Sequence, residues 1–164
     1  MAEWVGAARE YVRRATGLEI DGSVESLAYA DHYLAGVGEV DDPVLALLAA
    51  ALGAYFGEVA IADLGGRWEV AGEPAEWTVS LSATPVRFRP AALAAEAIRR
   101  RSTPGYDASI DVPPELQAAL SRALESAGPV EEEYYHSLTG RLETLSHVAA
   151  LIAELGRPGS SRVS

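Results

Sequence analysis

The sequence predicts an α+β fold: about six helices with a small three- to four-stranded antiparallel sheet in the middle of the chain. Three observations predict it. Apolar residues recur at helical spacing up to residue 64 and again from residue 90 onward. Between these blocks the pattern switches to strict alternation. No internal repeat or linker divides the 164 residues, so helices and sheet are expected to share one core over residues 1–156, with 157–164 as a flexible tail.

Trp4, Ala8, Tyr11 and Ala15 place a first helix over residues 3–15, stopped by Gly17. Ser23 is the expected N-cap of a second helix over 24–36, which ends near Gly36 and Gly38. Asp41, Asp42 and Pro43 start a third, because aspartate caps the first turn and proline suits its opening. It runs to Leu64, where Gly65 and Gly66 stop it. Trp68 and Val70, then Trp77, Val79 and Leu81, then Val86 and Phe88 alternate with polar residues and predict three half-buried strands. Their polar face (Thr78, Ser80, Ser82, Arg87, Arg89) is expected to be wet. Pro90 opens a fourth helix that closes on Arg99, Arg100 and Arg101, cations that suit its C-terminal dipole. A fifth follows Pro114, with Leu116, Leu120 and Leu124 four apart. The sixth is expected as one helix over 130–155, with a seam of Tyr135, Leu138, Leu142, Leu145, Ala149 and Ile152.

Composition limits the chemistry. Hydrophobic residues make up 49% and charged residues 23%, values of a folded domain rather than a disordered chain. With no cysteine there is no thiolate nucleophile, thiolate metal site or disulfide. The first ten residues lack the apolar core of a signal peptide, and a cytoplasmic location is expected. A net charge of -11 argues against nucleic-acid binding and favours a basic protein partner. The third helix lacks charge from Val44 to Gly57, about 14 residues, whereas a membrane span needs about 20. A buried central helix is therefore expected, and no membrane partner.

Two acids stand out. On the third helix Leu47, Ala51, Val44, Tyr55, Leu48, Val59 and Leu52 form one apolar arc, and Glu58 falls inside it. Ala46, Ala50, Gly53 and Gly57 form a smooth opposite side. On the second helix Asp31 lies among Val24, Leu27, Ala28 and Leu34. Both carboxylates are expected inward, where each must be paired, hydrogen-bonded or protonated. A structural role is favoured, with Glu58 held by a backbone N–H or Arg67, and Asp31 by an arginine or tyrosine. An acid–base or metal site is the alternative. Glu132, His136, Glu143, His147 and Glu154 lie on one stripe of the last helix opposite its seam, which reads as a solvated face rather than a ligand set. No phosphate loop, dinucleotide fingerprint or nucleophile elbow is present.

The stretch "SVESLAYADHYL" followed by "GAYFGEVAIADLGGRW" resembles an uncharacterised bacterial protein family with a Gly-Ala-Tyr-x-Gly-Glu-Val … Gly-Gly-x-Trp motif. Ser26, Leu27, Asp31, Gly53, Ala54, Tyr55, Gly57, Glu58, Val59, Gly65, Gly66 and Trp68 carry the likeness, over residues 23–90. It implies that the stretch matters and brings no chemistry with it.

The sequence therefore reads as a small cytoplasmic, non-enzymatic binding or interaction protein, regulatory or immunity-like, with an acidic surface. Asp31, Tyr55, Glu58, Arg67 and Trp68 are its candidate binding residues. The alternative is a hydrolase-type enzyme or metal-binding protein using Asp31 and Glu58. No catalytic residue, metal ligand or cofactor is assigned, and the chain is expected to be a monomer or a homodimer through its last helix.

Overall fold

Glycines set the ends of the first and third helices. In the computed structural model, which describes residues 1–126, 128 and 130–157, α1 (Ala2–Thr16) closes where Gly17 takes φ 74° and returns its N–H to the Arg13 carbonyl. α3 (Asp42–Leu64) closes at Gly65, whose φ of 77° turns the chain directly into the sheet. Asp41, outside the helix, caps α3 by accepting from Val44 N at 3.0 Å. Between them, α2 (Leu27–Val37) starts later than residue 24. Ser23 caps only the preceding turn, its Oγ accepting from Ser26 N.

The sheet is antiparallel in the order β1 (Gly66–Glu69), β2 (Thr78–Leu81), β3 (Arg87–Phe88). Trp68 pairs with Val79, and Val79 with Phe88. Val79, Leu81 and Phe88 are buried, and Phe88 meets Phe56 of α3 edge to face with ring centres 6.2 Å apart. Among the described residues no fourth strand forms; Arg87 makes a single bridge to Asp111. The chain continues through α4 (Pro90–Arg99), α5 (Pro114–Ser126), α6 (Glu132–His136) and α7 (Leu138–Leu155). Seven helices and three strands among the described residues make this an α+β fold. Of the tail expected over 157–164, residues 158–164 lie outside the described residues.

The centre of the molecule is α3 against α4. Gly53 makes their approach possible: a Cβ there would stand 2.5 Å from Ala91 Cα. Gly57, one turn on, seats the indole of Trp68. The smooth side expected of Gly53 and Gly57 is real, and the protein's own elements fill it. Of the helix's most apolar window, 72% is buried within this core, so its hydrophobicity is satisfied by the fold.

The expected inward arc of α3 needs correcting. Val44 and Leu47 are 40% and 45% exposed, and Glu58 is exposed as well. Leu48, Ala51, Leu52, Tyr55 and Val59 of the expected arc are buried, and the buried side continues past Leu52 to Phe56, away from Glu58. A helix apolar on every side leaves little hydrophobic phase to read.

Candidate functional site

Asp31 is held between two helices. Its Oδ1 accepts from Leu138 N at 2.7 Å, and its Oδ2 accepts from Thr139 N at 3.1 Å and Thr139 Oγ1 at 2.7 Å. The carboxylate thus caps the first turn of α7 from α2, satisfying N–H groups that no helix can pair internally. Its partners are backbone groups and a threonine, not the expected arginine or tyrosine. Asp31→Ala is expected to cost about 2–3 kcal/mol, the scale of lost bonds to a charged acceptor. Urea unfolding checks this, and a loss below that of a surface substitution would contradict the assignment.

Glu58 accepts from Trp68 Nε1 at 2.9 Å on the protein surface. Tyr55 is buried, and its hydroxyl accepts from Gly22 N at 2.8 Å and shares a hydrogen bond with Ser26 Oγ, pinning the loop before α2. Arg67 is exposed and points toward Glu69 at 3.7 Å rather than Glu58. Of the five candidates, the structure brings Glu58 to Trp68, and Tyr55 and Glu58 to one groove of about 690 Å³ beside Val5, Gly6 and Arg9. Asp31 belongs to a different part of the fold, so no paired-carboxylate site forms. Because Glu58 is exposed and glutamine also accepts from an indole, Glu58→Gln is expected to change stability by at most about 0.5 kcal/mol. A large fall in melting temperature would return Glu58 to a structural role.

The polar face of the sheet is organised around Glu69, which accepts from Ser80 Oγ at 3.1 Å, from Thr78 Oγ1 at 3.4 Å and from Arg87. Removal from water raises its carboxyl pKa, but bonds from Ser80, Arg87 and Thr78 together outweigh this and leave it below the usual value. A depressed folded pKa gives stability that is present above the unfolded value and is lost as pH falls through the folded one. Glu69→Gln is therefore expected to flatten the acid limb of stability below about pH 4.5 and leave the neutral plateau's slope unchanged. Denaturant titrations at several pH values read this directly.

A cleft of about 870 Å³ lies elsewhere, between α4, α6, the start of α7 and the segment 102–109. The expected single helix over 130–155 is broken at Ser137, whose backbone is extended (ψ 156°) and whose Oγ accepts from Gly140 N. This break resets the helical phase. His136, expected on the solvated stripe, turns inward, while Tyr135, expected on the seam, is 39% exposed. Glu132, Glu143, His147 and Glu154 remain exposed as the stripe implies. Leu138, Leu142, Leu145 and Ile152 of the expected seam are buried within the fold.

His136 meets Glu96 of α4 and Arg141 of α7 at the cleft floor. The three are 8%, 7% and 3% exposed, and among the described residues no other acid, arginine or histidine is buried. Arg141 NH2 donates to Glu96 Oε1 at 2.5 Å and to His136 Nδ1 at 3.3 Å. Its NH1 donates to the Tyr135 hydroxyl at 3.0 Å, and its Cζ lies 4.1 Å from the centre of that ring. The Arg141 Nε is sealed without a hydrogen-bond partner. No family model, curated protein or solved structure matches the chain.

The chemistry of this cluster follows from donor and acceptor identity. Arginine has only donors, so the His136 Nδ1 facing it accepts and the imidazole proton sits on Nε2. That N–H belongs to a residue that lines the cleft. Glu96 Oε1 is taken up by Arg141, and its Oε2 has no partner and is not sealed. The floor thus offers one donor and one acceptor. Among the described residues no group of three or more histidines and acids is placed to hold a metal ion. Sequence reasoning missed Glu96 and Arg141. The available signal was a lone acid in the alanine-rich run "PAALAAEAIRR" and a lone arginine beside the seam.

Proposed function

We propose that this is a non-enzymatic binding protein, cytoplasmic and regulatory in character, that takes a small polar ligand into the cleft above Glu96, His136 and Arg141. One observation carries the reading: the buried charged cluster leaves a donor and an acceptor unpartnered at the cleft floor. A ligand that complements these two atoms gains hydrogen bonds in a largely desolvated site, where they are stronger than in water. A binding role is favoured over acid–base catalysis because Arg141 holds His136 as a donor toward the cleft, not as a base. The alternative of catalysis by Asp31 and Glu58 loses its support, since Asp31 is committed to α7 and Glu58 to Trp68.

A second reading, a basic protein partner, is favoured by the net charge of -11 together with Val44 and Leu47 exposed beside Asp41 and Asp42. The family resemblance is proposed as a signature of architecture, because Gly53, Gly57 and Tyr55 have packing roles and Asp31 a capping role.

The test is to incubate the full chain with a small-molecule extract, separate the complex by gel filtration and identify what co-elutes by mass spectrometry. A ligand recovered unchanged, and lost from His136→Phe, is the expected result. Chemical conversion of the retained molecule, or retention equal in the variant, would overturn the proposal.

A further inference from the structure

We infer that the cleft is built for a neutral, planar ligand with a hydrogen-bond donor and acceptor on one edge, a free nucleobase or a similar cyclic amide. This rests on the cleft being the binding site. The side chains determine the class in three steps.

An arginine at a cleft floor ordinarily points to a phosphate or carboxylate ligand. Here that use is closed. Both NH2 hydrogens of Arg141 are committed to Glu96 and His136, the side chain is 3% exposed, and its Nε is sealed. Asp107 at the rim would also repel an anion, and the Ser109 hydroxyl bonded to Asp107 holds that carboxyl below the usual range.

A cation is disfavoured for the opposite reason. It would meet the Nε2–H of His136 as a second donor, and Arg141 already neutralises Glu96 at 2.5 Å. A neutral ligand satisfies both open atoms, giving a hydrogen to Glu96 Oε2 and accepting one from His136 Nε2. Such adjacent donor–acceptor edges define amides, ureides and nucleobases.

Planarity follows from the walls. One face of the Tyr135 ring covers Arg141 and its edge meets His136, yet the residue is 39% exposed and borders the cleft. Tyr135 and Tyr106 thus put two aromatic side chains on the border of the space, a setting in which a planar ligand can stack.

The experiment is calorimetric titration of the full chain with uracil, cytosine and adenine as probes. 1,3-Dimethyluracil, inorganic phosphate and ethylammonium are titrated beside them. At least one base is expected to bind at millimolar concentration or better, and dimethyluracil, which keeps the ring but lacks the donor, to bind at least about tenfold more weakly than uracil. His136→Phe is expected to lose about tenfold for the base that binds while keeping the wild-type circular dichroism spectrum. The comparison of uracil with its dimethyl form on the wild-type chain stands even where that variant does not fold. Tighter binding of phosphate or ethylammonium than of any base, abolished in His136→Phe, would overturn the ligand class and leave the cleft as a site. No heat with any of the bases overturns the inference, while the extract experiment separately decides whether the cleft binds anything.

Discussion

Replacing Arg141 by methionine is expected to destabilise the protein by about 3–5 kcal/mol, because it leaves the Glu96 carboxylate buried without its counter-charge. Glu96 and Arg141 are 7% and 3% exposed, so water replaces the lost partner only in part. The loss extends beyond the ion pair. Arg141 also donates to His136 Nδ1 and Tyr135 and carries the Tyr135 ring on its guanidinium face. Short α6 has little else to hold it, and its contacts run chiefly to α4 and α7. For a domain of this size the melting temperature should fall by about 10 °C, given about 2–4 °C per kcal/mol. The charge argument has its own control: adding Glu96→Leu to Arg141→Met removes both ions and should restore much of the loss, since a buried pair replaced by apolar groups is often near neutral. A double variant no better than the single would mean that packing of the arginine, not the orphaned carboxylate, sets the cost.

That cluster also shows where the sequence stops being legible. Most helix ends could be read because local chemistry decides them: Gly17 and Gly65 adopt the left-handed backbone, Asp41 caps, and Pro90 opens. The strands could be read because one face of the sheet is apolar and the other is a polar network around Glu69. The phase of α3 is legible only in part. Leu48, Ala51, Leu52, Tyr55 and Val59 are buried as expected, but a helix apolar all round gives periodicity little to select, and the edge with Val44, Leu47 and Glu58 is exposed. The break at Ser137 was hidden by a continuous pattern of helix-forming residues. It depends on a distant residue, Asp31, which caps the new helix from 107 positions away. Long-range caps and ion pairs such as Glu96 with Arg141 leave no periodic trace. Of the five candidate residues, Trp68 packs on Gly57, Tyr55 pins the loop before α2 and Asp31 caps α7, while Glu58 and Arg67 lie exposed. The cleft is assembled from residues 96, 102–109 and 135–141, which share no motif in the chain.

Gly53→Ala is expected to destabilise the protein by about 2 kcal/mol, even though alanine is worth about 1 kcal/mol more than glycine within a helix. The new methyl would lie 2.5 Å from Ala91 Cα, 2.7 Å from Ala91 N and 2.9 Å from the Pro90 carbonyl carbon. All three are backbone atoms of the first turn of α4, so no side chain can rotate away and the two helices must part. Gly6 of α1 is the matched control, because a Cβ there meets nothing within 4 Å. Gly6→Ala is expected to stabilise by about 0.5–1 kcal/mol through helix propensity alone. The opposite signs of two identical substitutions isolate steric approach from backbone entropy, and thermal unfolding of the two variants measures both. The displacement should also reach the cleft. α4 carries Glu96 five residues beyond Ala91, so a shift that parts it from α3 changes the reach of Glu96 to Arg141 and His136. Gly53→Ala should therefore weaken ligand binding as well as stability, although residue 53 does not border the cleft. Equal stabilisation by both alanines would show that α3 and α4 can separate at no cost, and the tight contact would then not be what positions Glu96.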